Sequence, residues 1–213
     1  MVYLRARGEN MKKGLFREGM KLCLENAEQW MNDAKLLMYN SSYGHSYTLL
    51  VFADEEIAKA YICWLVAEDM IPVNSKFVRD TFSKHRTKHE TLVGIFLGAM
   101  LKEELSKGQI TIEQILKESP ALTIEKLEKA LDEMEKLLDF TEMMRQKGIY
   151  VDKVEGRMVS PKSIGKEESE ELLQGVEYRF DYVKRLIGEI SPSEKRSLKQ
   201  FFKSLPKKVW DTR

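Results

Sequence analysis

Apolar residues in the first half of the chain recur at intervals of three and four, which is the period of an amphipathic helix. The first such stripe, from about Met11 to Tyr39, comprises Phe16, Met20, Cys23, Ala27, Trp30, Met31, Ala34, Leu37 and Met38. A second stripe runs from about Ser42 to Glu68, and a third from a cap at Asn74 or Ser75 to about Leu105. The third places Phe82, His85, His89, Leu92, Phe96 and Met100 on its inner face. The pattern therefore predicts three long helices before residue 105.

The second half continues the helical pattern with one interruption. Helices are predicted over residues 111–118 and 123–148, from about Lys166, and from Ser191, where serine, proline and glutamate form a capping box. Residues 149–160 lose the helical period around Glu155-Gly156, which predicts an extended segment or a small hairpin. A catalytic lid is one interpretation of this segment, and a packed connector whose Tyr150 fills the bundle is the other.

These elements predict an all-α fold, a bundle of about five or six helices with a short hairpin. One domain covers residues 1–213 in this interpretation. It has a loose N-terminal tail (1–9), a core bundle (10–148) and a C-terminal part (149–213) with the extended segment and two helices.

Composition narrows the class of protein. Apolar residues make up 43% and charged residues 32% of 213, with only five prolines, as in a soluble helical protein. A net charge of +1 argues against a strongly basic nucleic-acid binder but allows a local basic patch. No apolar run approaches the ~18 residues that span a bilayer, and no signal-peptide core is visible. Cys23 and Cys63, the only cysteines, are expected to be small buried hydrophobes in a reducing cytoplasm.

Three consecutive acidic residues interrupt the second stripe. Asp54 lies within it, where an unpaired carboxylate would be costly to bury, so Asp54 needs a donor from another helix or marks a cleft. Glu55 and Lys59 have the spacing of a surface ion pair. Alternatively, Asp54, Glu55 or Glu56 orients a histidine of the next helix.

The third helix carries two histidines that face the same way. His85 and His89 are four residues apart, so their rings project from one face. They can share a metal ion, act as acid and base near neutral pH, or be core histidines satisfied by Asp54 or Glu56. No third histidine or cysteine pair lies nearby, so we expect no metal and no cofactor.

Arg79 precedes His85 with the spacing R-x(4–6)-H. A guanidinium holds phosphate bidentately and an imidazole moves protons, so such a pair can assist attack by an RNA 2′-hydroxyl without a metal. On one continuous helix the two side chains would point about 120° apart. They converge only if the helix begins near Arg79 or if a second subunit supplies one of them.

Three segments resemble the AbiV family of abortive-infection proteins, a branch of the HEPN superfamily. They are His45-Ser46-Tyr47 through Lys59 with its Ala53-Asp54-Glu55-Glu56-Ile57 core, Phe82 to Lys88, and Arg145 to Asp152 followed by Gly156 and Pro161. The resemblance covers roughly residues 15–185. Asp54 and Ala58 depart from the family pattern, which usually has an apolar residue and a glycine there.

The resemblance implies a helical bundle that pairs as a homodimer. Many HEPN proteins are metal-independent endoribonucleases whose R-x(4–6)-H motif meets its copy across the dimer cleft. It further implies a catalytic set of His85, Arg79, Glu55 and Glu56, and an RNA-phosphate set of Lys88, Arg86, Lys59 and His89.

The implied function is an anti-phage, RNA-directed toxin that blocks translation. The alternative is a non-catalytic dimeric module that binds RNA or a protein. The expected partners are RNA, a second copy of the chain and a phage or toxin-regulating protein, with no membrane.

Overall fold

The computed structural model describes residues 2–92, 136, 142–154 and 157–204. Its elements, numbered in chain order, are α1 (Val2–Tyr39), α2 (Tyr43–Ala67), α3 (Lys76–Ser83), α4 (residues 85–92), α5 (residues 142–147), β1 (Asp152–Val154), β2 (Arg157–Val159), a 3₁₀ turn (Pro161–Ser163), α6 (Lys166–Glu189) and α7 (Pro192–Ser204). The strands pair antiparallel with Asp152 opposite Val159. The predicted all-α bundle with a small hairpin is confirmed. The predicted helix at 111–118, most of that at 123–148, and Phe96 and Met100 lie outside the described residues.

Helix α1 follows the predicted stripe and is longer than expected. Cys23, Ala27, Met31 and Ala34 are buried along one face. The helix begins at Val2, so the prediction of a loose tail over residues 1–9 is wrong for residues 2–9. This segment has no proline, and its leucine, alanine, glutamate and two arginines favour helix, while its one interior glycine costs only about 1 kcal/mol.

Helix α2 is the centre of the bundle. Eighteen of its twenty-five residues are buried, so it is covered on nearly every side, as expected for a core helix. It contacts α1, α3 and α6. Ala53 and Ala58 of α2 meet Ala27 and Ala34 of α1 in one buried cluster, where small side chains permit close packing.

The third predicted helix is two helices. Helix α3 starts at the predicted cap, where the Ser75 hydroxyl accepts from the Val78 N–H at 3.3 Å. It ends at Ser83, because Lys84 is extended (φ −121°, ψ 127°), and α4 begins at His85. The Ser83 hydroxyl donates to the Arg79 carbonyl, a local bond that competes with helix continuation. Because of this break Phe82, predicted to face inward, is 47% exposed.

The N-terminal half of α2 anchors the segment that follows α5. A Cβ on Gly148 would lie 2.2 Å from Thr48 Oγ1, and a Cβ on Gly44 would lie 2.2 Å from the Pro161 carbonyl oxygen. Both glycines therefore permit backbone contacts that any side chain would block. Tyr150, predicted to fill the bundle, is instead 60% exposed, because the turn at Gly148 already occupies the surface of α2.

Both cysteines are buried free thiols, as predicted. Cys63 and the burial of the site raise the pKa of the Cys23 thiol, since the two side chains are hydrogen-bonded across the α1–α2 interface. Among the described helices, none combines the length and apolar character needed to cross a membrane.

Candidate functional site

Glu55 is the centre of a buried polar cluster between α2 and α4. Its side chain is only 6% exposed. Nδ1 of His85 lies 2.5 Å from Oε1, and Nζ of Lys88 donates to Oε2 at 3.0 Å. Nε2 of His89 lies 3.7 Å from Oε1. A buried carboxylate is tolerated only with such compensation, so α4 supplies the groups that make Glu55 compatible with the core.

The restart of the helix at His85 explains this convergence. His85, Lys88 and His89 occupy the first and second turns of α4 at spacings of three and four, which places them on one face. The predicted common face of the two histidines is confirmed by their shared neighbour Glu55.

The two histidines differ in their access to solvent. The His85 side chain is 48% exposed, whereas that of His89 is 4% exposed. Nε2 of His89 is buried without a hydrogen-bond partner among the described residues. Burial lowers the pKa of His89, so its ring is favoured in the neutral form. His89 is therefore buried beneath the surface, whereas it was expected to be exposed and to contact RNA phosphate.

Glu56 and Lys59 belong to another face of α2. Lys59 forms an ion pair with Glu56, three residues away, so the predicted Glu55–Lys59 surface pair is wrong. Their charges act on the Cys23 and Cys63 thiols at the α1 interface. A step of one residue along a helix turns the side chain by about 100°, which separates Glu56 from the Glu55 cluster.

The two arginines predicted for the site make local contacts. Nη1 of Arg79 donates to the Asn74 carbonyl at 2.6 Å, at the start of α3. Nε of Arg86 lies 3.4 Å from Glu90 Oε1, along α4. Within one chain, the described hydrogen bond of Arg79 is therefore to Asn74, next to the cap of its own helix, and not to His85.

Asp54 has the donor from another helix that its position required. Arg179 of α6 forms two bonds to it, from Nε to Oδ1 at 2.8 Å and from Nη2 to Oδ2 at 2.6 Å. The sequence indicated either a donor from another helix or a cleft at Asp54, but not which downstream cation the donor would be.

Helix α5 adds a second ion pair beside the cluster. Arg145 donates from Nε and Nη2 to the two carboxylate oxygens of Glu142 at 2.8 and 2.6 Å. This arginine, with a further bond from Gln146, lowers the pKa of Glu142 to about 2, and Glu142 in turn raises the pKa of Arg145. The charge of His85 acts on Glu142 and that of Glu55 acts on Arg145, so the pair borders the cluster.

Arg145 and Glu142 were not among the predicted site residues. The available signal was that Arg145 opens the third segment of the family resemblance. Its distance along the chain from Glu55 concealed that the charge of Glu55 acts on it.

The cluster is suited to proton transfer. As an ionised carboxylate Glu55 can only accept, so Nδ1 of His85 carries the proton and Nε2 is the nitrogen left for a substrate. In the part of the chain that the structure describes, no three His, Cys, Asp or Glu side chains are grouped to hold a metal ion.

Comparison with models of protein families finds a match over most of the chain. The HEPN_AbiV family model, described as AbiV, matches residues 15–179, well over half of the chain and from α1 to Arg179 in α6. Searches of the curated proteins and of the solved structures found no match.

Proposed function

The chain belongs to the AbiV family of HEPN-type abortive-infection proteins, and from this premise we propose that it is an RNA-directed toxin acting as a metal-independent endoribonuclease. The observation that carries the proposal is the pairing of His85 with Glu55. A buried carboxylate fixes one ring nitrogen at 2.5 Å, while 48% of the histidine side chain stays exposed.

In the proposed reaction Nε2 of His85 takes the proton from an RNA 2′-hydroxyl. The 2′-oxygen then bonds to the adjacent phosphorus, the bond to the 5′-oxygen breaks, and that oxygen takes a proton from the imidazolium, which returns His85 to its neutral form. The products are a 2′,3′-cyclic phosphate and a 5′-hydroxyl. Glu55 holds the tautomer of the ring and stabilises the imidazolium, as the acidic member of a catalytic triad does.

Lys88 acts on Glu55 in this scheme. Its side chain is 10% exposed and directed at the carboxylate, so it balances the buried negative charge and leaves phosphate to more exposed groups. Arg79 is exposed on α3, with its guanidinium at the Asn74 carbonyl. We propose that Arg79 reaches the phosphate beside the His85 of a second copy, in a homodimer.

The test is cleavage of total RNA by purified protein in the presence of a chelator. His85→Ala should lower the cleavage rate by about 10²- to 10⁴-fold, the usual contribution of a general acid or base. His45→Ala is the matched control, because His45 is also exposed and its Nδ1 contacts the Ser42 hydroxyl at 3.0 Å. Glu55→Gln should lower the rate while keeping the shape of the side chain.

Two outcomes would contradict the proposal. If His85→Ala cleaves RNA at the rate of the unaltered protein, His85 is not the acid–base group. If the chelator abolishes cleavage, the reaction depends on a metal.

A second candidate is the non-catalytic module that binds RNA or a protein as a dimer. It is favoured by the position of Arg79, whose guanidinium bonds to the Asn74 carbonyl. Intact RNA in the cleavage assay, together with retained RNA binding by His85→Ala, would support this candidate over the enzyme.

A further inference from the structure

His89 carries a buried polar atom to which the proposed proton transfer gives no role. Its side chain is 4% exposed, and Nε2 has no hydrogen-bond partner among the described residues. A buried polar atom without a hydrogen bond costs stability, so such an atom in a folded domain calls for a reason. RNA does not reach a side chain this deeply buried, so any role of His89 lies inside the cluster around Glu55.

Two ring nitrogens converge on one oxygen of Glu55. Nδ1 of His85 lies 2.5 Å from Oε1, and Nε2 of His89 lies 3.7 Å from the same atom. The second distance is too long for a hydrogen bond, but a movement of about 0.5–1 Å would form one. Hydrogen bonds around a reacting group are often long in a protein without substrate and shorten in its complex with substrate. Nε2 of His89 is therefore close enough to become a second donor to Oε1.

The surroundings of His89 favour a proton on Nε2. Burial lowers the pKa of His89, so the favoured ring is neutral and carries a single N–H. An ionised carboxylate only accepts hydrogen bonds, so the N–H is favoured on the nitrogen that faces Glu55. A neutral donor of this kind adds a bond to the carboxylate without burying a further charge.

We propose that His89 is a positioning residue for the reaction at His85: when RNA is bound, its Nε2–H donates to Oε1 of Glu55 and fixes the carboxylate on Nδ1 of His85. This role rests on the proposed function. Each hydrogen bond to a carboxylate favours its ionised form, so the bond from His89 acts together with that from Lys88 to Oε2. The Nδ1 proton therefore stays on the imidazolium, and the proton on Nε2 of His85 goes to the 5′-oxygen.

A metal ion shared by the two histidines fits the same atoms less well. Nζ of Lys88 lies 3.0 Å from Oε2 of Glu55, so the carboxylate already has a cation beside it. A divalent ion at Oε1 would be repelled by this ammonium group. It would also displace the bond between Oε1 and Nδ1 of His85.

The test compares His89→Phe with His89→Gln in the RNA cleavage assay with chelator present. Phenylalanine fills the space without a donor, whereas the side-chain amide of glutamine can supply an N–H near the position of Nε2. We expect His89→Phe to lower kcat by about 10- to 100-fold, the range for one hydrogen bond to a charged group. RNA affinity should not change, because the side chain is buried, and His89→Gln should recover most of the rate.

Thr91→Val is the matched control. Thr91 is 5% exposed on the same helix, and its hydroxyl donates to the Thr87 carbonyl at 2.8 Å, so this variant should cleave RNA at the normal rate. Urea unfolding of each variant separates a slower reaction from a loss of folded protein. A readout without cleavage is the nitrogen-15 chemical shift of Nδ1 in His85, measured with a bound oligonucleotide that lacks 2′-hydroxyls. His89→Phe should change this shift, whereas His89→Gln and Thr91→Val should not.

Four outcomes would overturn this role of His89 and leave the endoribonuclease proposal intact. They are normal cleavage by His89→Phe, a loss that His89→Gln does not recover, an equal loss in Thr91→Val, and weaker RNA binding with an unchanged kcat. If the unaltered protein cleaves no RNA, the endoribonuclease proposal fails. The positioning of Glu55 by His89 then stands only if His89→Phe alone changes the His85 shift, and an unchanged shift overturns it as well.

Discussion

Loss of the Arg179 guanidinium should destabilise the fold severely. Arg179→Met keeps most of the aliphatic stem but leaves Asp54, whose side chain is 8% exposed, without its two charge-assisted bonds. Breaking a buried pair by removing one partner typically costs about 3–5 kcal/mol. The Arg179 side chain is 18% exposed, so water can partly reach the site, and we expect a loss of about 3 kcal/mol in the free energy of unfolding.

The double variant should recover most of this lost stability. In Asp54→Leu/Arg179→Met no uncompensated charge remains, and α2 has apolar neighbours around this position. Replacing a buried ion pair by apolar residues is often neutral or stabilising, so the double variant should unfold within about 1 kcal/mol of the unaltered protein. The coupling energy from the double-mutant cycle should therefore exceed about 2 kcal/mol.

Urea unfolding followed by circular dichroism measures these free energies. The control is Lys35→Met, which removes the exposed pair between Lys35 of α1 and Glu177 of α6 at 2.7 Å. An exposed pair is worth no more than about 1 kcal/mol, so this variant should unfold almost normally. A loss below about 1 kcal/mol in Arg179→Met, or additive effects in the double variant, would refute the claim that Asp54 depends on Arg179.

Three further predictions concern stability. Because the pKa of Glu142 lies at about 2, below its ordinary 4.5, its pair with Arg145 stabilises the fold above pH 4.5 and this contribution is lost as the pH falls toward 2. The Glu142 side chain is about a third exposed, so solvent screening reduces the effect. Between pH 7 and pH 3, the free energy of unfolding of Glu142→Gln should fall by about 1–2 kcal/mol less than that of the unaltered protein, as measured by urea unfolding. Gly148→Ala should cost about 1–3 kcal/mol through overpacking, whereas Gly14→Ala, with nothing within 4 Å of the added Cβ, should be neutral or slightly stabilising by thermal unfolding. Ser191→Ala removes the cap that accepts the first-turn N–H of α7 at 3.2 Å and should cost about 1 kcal/mol, measurable by hydrogen exchange in that helix.

Helices were predictable from the sequence where the burial of one helix face requires apolar residues at every third or fourth position. The stripes of α1 and α2 and the capping box of α7 were predictable because a helix must bury one face and satisfy its first N–H groups. The need for a donor at Asp54 followed from the cost of burying a charge.

Features that depend on the relation between distant elements were not predictable. The break at Lys84 has no proline or glycine to mark it, so the stripe from Asn74 onward looked continuous. Which of Glu55 and Glu56 would face the histidines depended on the position of the neighbouring helix. Adjacent residues of a helix differ in direction by about 100°, so only one of the two can face it. Arg179 is 125 residues from Asp54, its partner on α2, a separation that periodicity cannot bridge. Arg145 pairs within α5, and its distance along the chain hid the electrostatic effect of Glu55 on it.

Asp54 and Glu55 are adjacent buried carboxylates, yet their partners assign them different roles. Asp54 is held by a guanidinium, which only donates hydrogen bonds and does not serve as an acid or a base in proteins, so this pair joins two helices and offers no acid–base group. Glu55 is held by an ammonium and by an imidazole that is half exposed, and the two ring nitrogens of an imidazole can donate or accept a proton. Only the second arrangement joins a buried charge to a half-exposed imidazole, which is what the proposed proton transfer requires. Asp54 thus ties α2 to α6, whereas Glu55 positions His85. We expect a variant at Asp54 to alter stability and, under the proposed function, a variant at Glu55 to alter the cleavage rate.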